Sequence, residues 1–211
     1  SYEGPRPSTD IWLDKDIYVN NTLAPNPPSV GMATFDGLNR KGDPYPNPSG
    51  VADRLTSRPI DLSNLNASNN LFLKFYAAPK GWGLAPSAKD SLMVEFKNVD
   101  QQWEYVTGLK GFLSNIPLDS LPPFQFYAFQ VDDPQFFHDA FQFRFTAHTS
   151  PGGMVDLWHL DYVWFDQNET QDTIYDDIAF TFIPSSILKT YQAIPWNHFE
   201  GFEESEVKPQ G

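Results

Sequence analysis

The 211-residue chain carries 27 acidic against 14 basic residues, a formal net charge of −13, and contains no cysteine. That charge opposes binding to nucleic acid, whose backbone needs a basic stripe, and the missing thiols exclude disulfides, zinc–thiolate centres and cysteine nucleophiles. Eighteen Phe, nine Tyr, six Trp and 19 Pro favour strands and long turns over helices, and no apolar run approaches the ~20 residues that span a bilayer.

In chain order, residues 1–16 read as an extended lead-in, 17–199 as a single β-sandwich domain and 200–211 as an acidic linker or tail. A short strand falls at Ile17–Val19, followed by a loop in which Pro25, Pro27 and Pro28 offer no ladder donors. Gly31–Asp36 is the first convincing strand, and Gly37 ends it before a long loop through Gly50. Ala52–Ser57 suits an edge strand, whereas the continuous apolar character of Leu71–Tyr76 predicts burial on both faces. A Pro/Gly loop over 78–89 carries Trp82 at its tip. Asp90–Phe96 and Trp103–Thr107 form a hairpin, residues 109–124 a crossing loop, Tyr127–Val131 a strand, and 132–140 a turn with one helical turn.

The stretch Phe141–Asp166 holds two strong strands joined by Ser150-Pro151-Gly152-Gly153 and reads as the central hairpin. A last strand is expected at Ile178–Ile183, then a short helix over 185–193, capped by Ser185 and ended by Pro195. The whole is an all-β chain, a jelly-roll β-sandwich of two antiparallel sheets with long Pro/Gly loops and one short C-terminal helix.

The succession ATFDGL, ADRLTSRPIDLS, LFLKFYAAPKGWG, DSLMVEF, QQWEYV, FQFRFTA and DLWHLDYVWFD resembles the MAM/concanavalin-type jelly-roll domains of cell-surface proteins. The segments ATFDGL, LTSRPIDLS and WHLDYVWFD are similar to domains in surface and secreted proteins of gliding, type IX-secreting bacteria. The resemblance covers Ile17 to Trp196 and departs from animal MAM domains in lacking their cysteines. It implies an adhesion or assembly role at the outer cell surface or in secreted form, and it carries over no catalytic residue.

Four aspartates, Asp36, Asp43, Asp53 and Asp161, are the candidate ligands of a structural calcium ion, which takes six to eight oxygens from carboxylates and loop carbonyls. Asp36-Gly37 and Asp43-Pro44 also read as plain turn formers. On a regular strand His159 and Asp161 share one face with Leu157, Val163 and Phe165, while Asp156 shares the other with Trp158 and Tyr162. The pair reads either as a base or metal site or as a histidine bonded to aspartate beside the core. Asp132, Asp133, His138 and Asp139 form a second acidic patch on an ordinary turn. Trp82 and Tyr45, on Pro/Gly loops, are the binding candidates, able to stack on sugars or dock in a partner. Trp103, Trp158 and Trp164 are expected in the core.

These readings predict a non-catalytic interaction or adhesion domain that docks a protein partner at the cell surface. The alternative is a carbohydrate-binding module that holds polysaccharide, with a jelly-roll hydrolase behind both. Neither nucleic acid nor membrane insertion is expected, and the basic residues look scattered along the chain.

Overall fold

The computed structural model describes residues 5–46, 50–112, 117, 119–149, 153–171, 188–190 and 193–208. Its strands are β1 (Tyr18–Asn20), β2 (Met32–Phe35), β3 (Gly50–Thr56), β4 (Leu71–Pro79), β5 (Ser91–Lys97), β6 (Trp103–Lys110), β7 (Gln125–Val131), β8 (Phe143–Thr149) and β9 (Trp158–Asp166). Alternation is cleanest in β5, where Leu92, Val94 and Phe96 are buried and Ser91, Met93, Glu95 and Lys97 are half-buried. That period of two is what a strand with one face on a core requires.

The strands form two antiparallel sheets, a five-stranded one in the order β1-β2-β9-β4-β7 and a four-stranded one in the order β3-β8-β5-β6. From β2 onward the chain changes sheet at every connection except the β5–β6 hairpin, the weave of a jelly-roll sandwich. Leu73, Phe75 and Leu160 of one sheet meet Leu55, Val94, Phe143 and Phe145 of the other in the core. Phe75 meets Phe145 edge-on with ring centroids 4.9 Å apart, a geometry worth about 0.5–1.5 kcal/mol beyond area burial. Central β4 is buried on both faces along most of its length, as its apolar run predicted, and β3 lies at a sheet edge.

The expected hairpin within Phe141–Asp166 does not form: β8 pairs with β3 and β5, and β9 with β2 and β4. The two strands lie in opposite sheets, each turning an apolar face to the shared core. The alternation expected along β9 also breaks. Trp158 and Leu160 face the core, but so do Val163 and Phe165, because a bulge lies between the pairs Tyr76–Asp161 and Lys74–Trp164. Tyr162, at φ +52°, sits in that bulge and shifts the inward register by one residue.

The lead-in belongs to the sandwich. Trp12 bridges Ser57, its ring packs edge-on against Phe143, and Arg6 donates to the carbonyls of Asp16 and Ile17. The chain divides into two compact units, Ser1–Thr181 and Phe182–Gly211. In the second unit Leu188 bridges Val207, and α1 (Trp196–Phe199) and α2 (Glu203–Glu206) are its helices among the described residues. The expected helix over 185–193 is replaced at Leu188–Thr190 by that bridge and bends. Its remaining turns and the strand at 178–183 lie outside the described residues. The turn at 132–140 holds its helical turn at Pro134–Phe136, capped by Asp133.

Candidate functional site

The outward side chains of the four-stranded sheet form a grid that the strand register defines. One row runs His148, Ser91, Lys110; the next Arg54, Thr146, Met93, Gly108; then Thr56, Arg144, Glu95, Tyr105; and last Lys97 and Trp103. Each lies on the side of its strand that faces away from the core. Strand-borne side chains are held more rigidly than loop-borne ones, which suits a binding platform.

Arg144 is the centre of this face. Its Nε donates to Glu95 Oε2 at 2.6 Å and its Nη2 to Glu95 Oε1 at 2.8 Å, a bidentate pair. Thr146 Oγ1 donates to the same Oε2 at 2.7 Å. The guanidinium carbon lies 4.1 Å from the centroid of the Trp103 ring, and Lys97 Nζ stands 5.8 Å from it. Burial works against charge on Glu95, but the bonds from Arg144 and Thr146, with the field of Arg54, hold its carboxyl below the usual range. Planar guanidinium, carboxylate and indole are thereby locked together.

Beside this cluster Tyr105 is 61% exposed. Its hydroxyl lies 2.9 Å from the point where a Cβ on Gly108 would stand, so the ring lies along its own strand over the glycine. Arg54 and Lys110 are exposed on the two edge strands. Trp103, expected in the core, is half-buried on this outward face. Trp164, paired with Lys74, is on the outward side of the other sheet, and Trp158 alone of the three joins the core. The signal for this face was present in FRFTAHT and SLMVEFK as their polar half-periods, but no single strand shows which others lie beside it.

The sequence-derived candidates fall elsewhere. Asp53 is fully buried and accepts from Gly37 N at 2.7 Å and from the Tyr45 hydroxyl at 3.0 Å. Tyr45 is therefore folded back to pin its loop, and does not offer an exposed ring. Burial, reinforced by the charges of Asp36 and Asp16, pushes Asp53 up to about 7 against those two bonds. Asp36 accepts from Leu38 N at 3.0 Å, turning the chain as an Asp-Gly pair does. Asp43 is exposed, and its backbone N–H and carbonyl close a small turn with Asn39.

Asp161 accepts from Ser29 N at 2.8 Å, Ser29 Oγ at 2.5 Å and Tyr162 N at 2.7 Å. The β2–β9 register sets Asp161 level with Met32, four residues or about 13 Å along the strand from Asp36. The two do not converge on one ion. Among the described residues no group of three His, Cys, Asp or Glu side chains is arranged to hold a metal.

His159 does not bond Asp161. Its Nδ1 meets Thr34 Oγ1 at 2.9 Å, and Asn20 Nδ2 donates to that same oxygen at 2.8 Å. Burial pushes His159 down to about 4, against a backbone bond at Lys80 that favours the charged ring. Asp156 is buried in the turn before β9. In the second acidic patch Asp133 caps a turn, and His138 bonds the Lys97 carbonyl and Ala140 N. Trp82 is 57% exposed, close to Leu84 at 49% and Met154 at 46%. Leu84 N donates to the Met154 carbonyl at 2.8 Å, which joins their two loops.

No family model matches the chain, and no curated protein matches it. The solved structures it resembles include the enzymatically active domain of bacteriophage CBA120 tailspike protein 4, at 16% identity and a TM-score of 0.37. The match takes in 77% of this chain and 18% of that one, so this chain spans less than a fifth of that protein's length. A likeness of that degree carries no argument about activity. Among the described residues no helix is long and apolar enough to cross a membrane.

Proposed function

We propose that this is a non-catalytic glycan-binding domain of a secreted or surface protein, with the outer face of the four-stranded sheet as its binding surface. The observation that carries the reading is the exposed Tyr105 ring beside the fixed Trp103–Arg144–Glu95 stack. Sugars present apolar C–H faces that stack on rings, and hydroxyls that bond to planar charged groups. A face already ordered by its own bonds loses little entropy on binding. The resemblance of the motif order to MAM-type surface domains is what suggests a place outside the cell. Isothermal titration against a panel of soluble polysaccharides tests the reading: Tyr105→Ala is expected to abolish binding seen with the native chain. Binding that survives Tyr105→Ala and Trp103→Ala together would move the site elsewhere.

A second reading, docking of a protein partner, is favoured by the cluster of Trp82, Leu84 and Met154. Exposed apolar side chains grouped in this way are typical of protein contacts. Loss of partner capture in Trp82→Ser, with glycan binding intact, would assign docking to those loops.

A further inference from the structure

The outward rows of the four-stranded sheet gather Arg54, Lys97, Lys110 and Arg144, four cations against Glu95, the one carboxylate in those rows among the described residues. These come from positions far apart in a chain whose net charge is −13, so the basic residues that look scattered in sequence converge on one surface. The bidentate pair with Arg144 neutralises Glu95. Lys97 Nζ reaches only the neutral Gln142 Oε1, at 3.1 Å. Among the described residues the ion pairs are Lys74–Glu169 and Arg144–Glu95, so Arg54, Lys97 and Lys110 have no carboxylate partner.

We infer that the ligand of this face is an acidic polysaccharide, one carrying carboxylate or sulfate groups along its chain. The inference rests on the glycan-binding reading above and specifies the class of glycan. Arg54 and Lys110 stand on the two edge strands of the sheet. Three strand spacings, about 14 Å, separate them across the sheet and one row, about 7 Å, along it, a span that fits an oligosaccharide and not a single sugar. Tyr105 and the Arg144–Glu95 pair lie one row beyond Arg54 and two beyond Lys110, toward Lys97, so a ligand that reaches all three cations crosses them, stacking on the ring while its anionic groups meet the flanking charges. A positive face on a negative molecule also orients an anionic ligand during approach. Nucleic acid fits less well, since its dense backbone charge extends past the face into the field of the acidic remainder.

The test is affinity electrophoresis and titration of the full chain with polygalacturonate, dextran sulfate, neutral dextran and an oligothymidylate. The variants are Arg54→Gln/Lys110→Gln, which alters only exposed side chains, and Tyr105→Ala. The expected result is retention by polygalacturonate or dextran sulfate that weakens as salt rises. The charge variant should bind about tenfold more weakly, and neutral dextran should not retain the protein. Retention by neutral dextran that the charge variant leaves unchanged would overturn the acidic ligand and leave the glycan reading standing. Retention by no polysaccharide would overturn both. Stronger retention by the oligothymidylate than by either acidic polysaccharide would replace the glycan with single-stranded nucleic acid.

Discussion

Arg144 lies over the face of Trp103, its guanidinium carbon 4.1 Å from the ring centroid, while the same group grips Glu95 through two bonds. Strands β8, β5 and β6 each supply one member of the trio, so it also ties the sheet together from strand to strand. Arg144→Lys keeps the charge but loses the fork and the flat stack. It should lower unfolding free energy by about 1–2 kcal/mol, read by urea denaturation. An unchanged midpoint would mean that the trio is ornamental to stability.

Tyr105 should behave in the opposite way. Its exposed ring covers only its own strand at Gly108, so Tyr105→Ala is expected to change stability by no more than about 0.5 kcal/mol while removing glycan binding. A large drop in thermal midpoint would instead make the ring a structural lid.

Gly81 has a conformational and a steric reason to be glycine. Its φ is +52°, and an added Cβ would overlap the Leu23 carbonyl oxygen and His159 Nε2. His159 is buried in the chain of bonds through Thr34 to Asn20, so it has little room to withdraw. Gly81→Ala should cost about 2–4 kcal/mol, measurable by denaturant titration. A cost under about 1 kcal/mol would show that the loop simply moves aside.

The pH dependence of stability should come from two buried groups of opposite sign. Asp53 rises from an ordinary 3.8 to about 7 on folding. Between those values the folded state holds a proton that the unfolded state has released, so Asp53 lowers stability as pH rises through that window. His159 falls from 6.5 to about 4. There the unfolded state holds the extra proton, so His159 lowers stability as pH falls from 6.5 to about 4. The two largely cancel in that overlap. Against the native chain, Asp53→Asn should therefore expose a loss of stability below pH 6.5. His159→Gln should expose a gain as pH falls from 7, each with a slope of at most about 1.4 kcal/mol per pH unit. Thermal melts at pH 4.5, 5.5, 6.5 and 7.5 check this. Parallel curves for all three proteins would refute it.

Tyr45 anchors the loop between β2 and β3 through its hydroxyl on Asp53. Tyr45→Phe should cost about 1 kcal/mol and raise protease cleavage within residues 37–46. Glycan binding should be unaffected, since the ring does not belong to the proposed binding face. Loss of that binding would return Tyr45 to the role its loop position suggested.

Local stretches of chain specified which segments become strands and where several of them end. Alternation in SLMVEFK, the apolar run LFLKFY and the Pro/Gly breaks act within a few residues of chain, where local geometry and burial decide the outcome. The β5–β6 hairpin was legible for the same reason: its turn is short and its partners adjoin in sequence. Partnership between distant strands was not legible. An alternating strand presents the same pattern whether its apolar face meets a neighbour across the core or the two lie side by side in one sheet. Phe141–Asp166 therefore read as a hairpin while β8 and β9 went to opposite sheets. The bulge at Tyr162 then reversed which half of β9 faces inward. Only the tertiary structure brought Arg54, Lys97, Lys110 and Arg144 to one surface with Trp103 and Tyr105. Lateral strand order is set by the summed packing of the whole sandwich, and no local stretch of chain contains that sum.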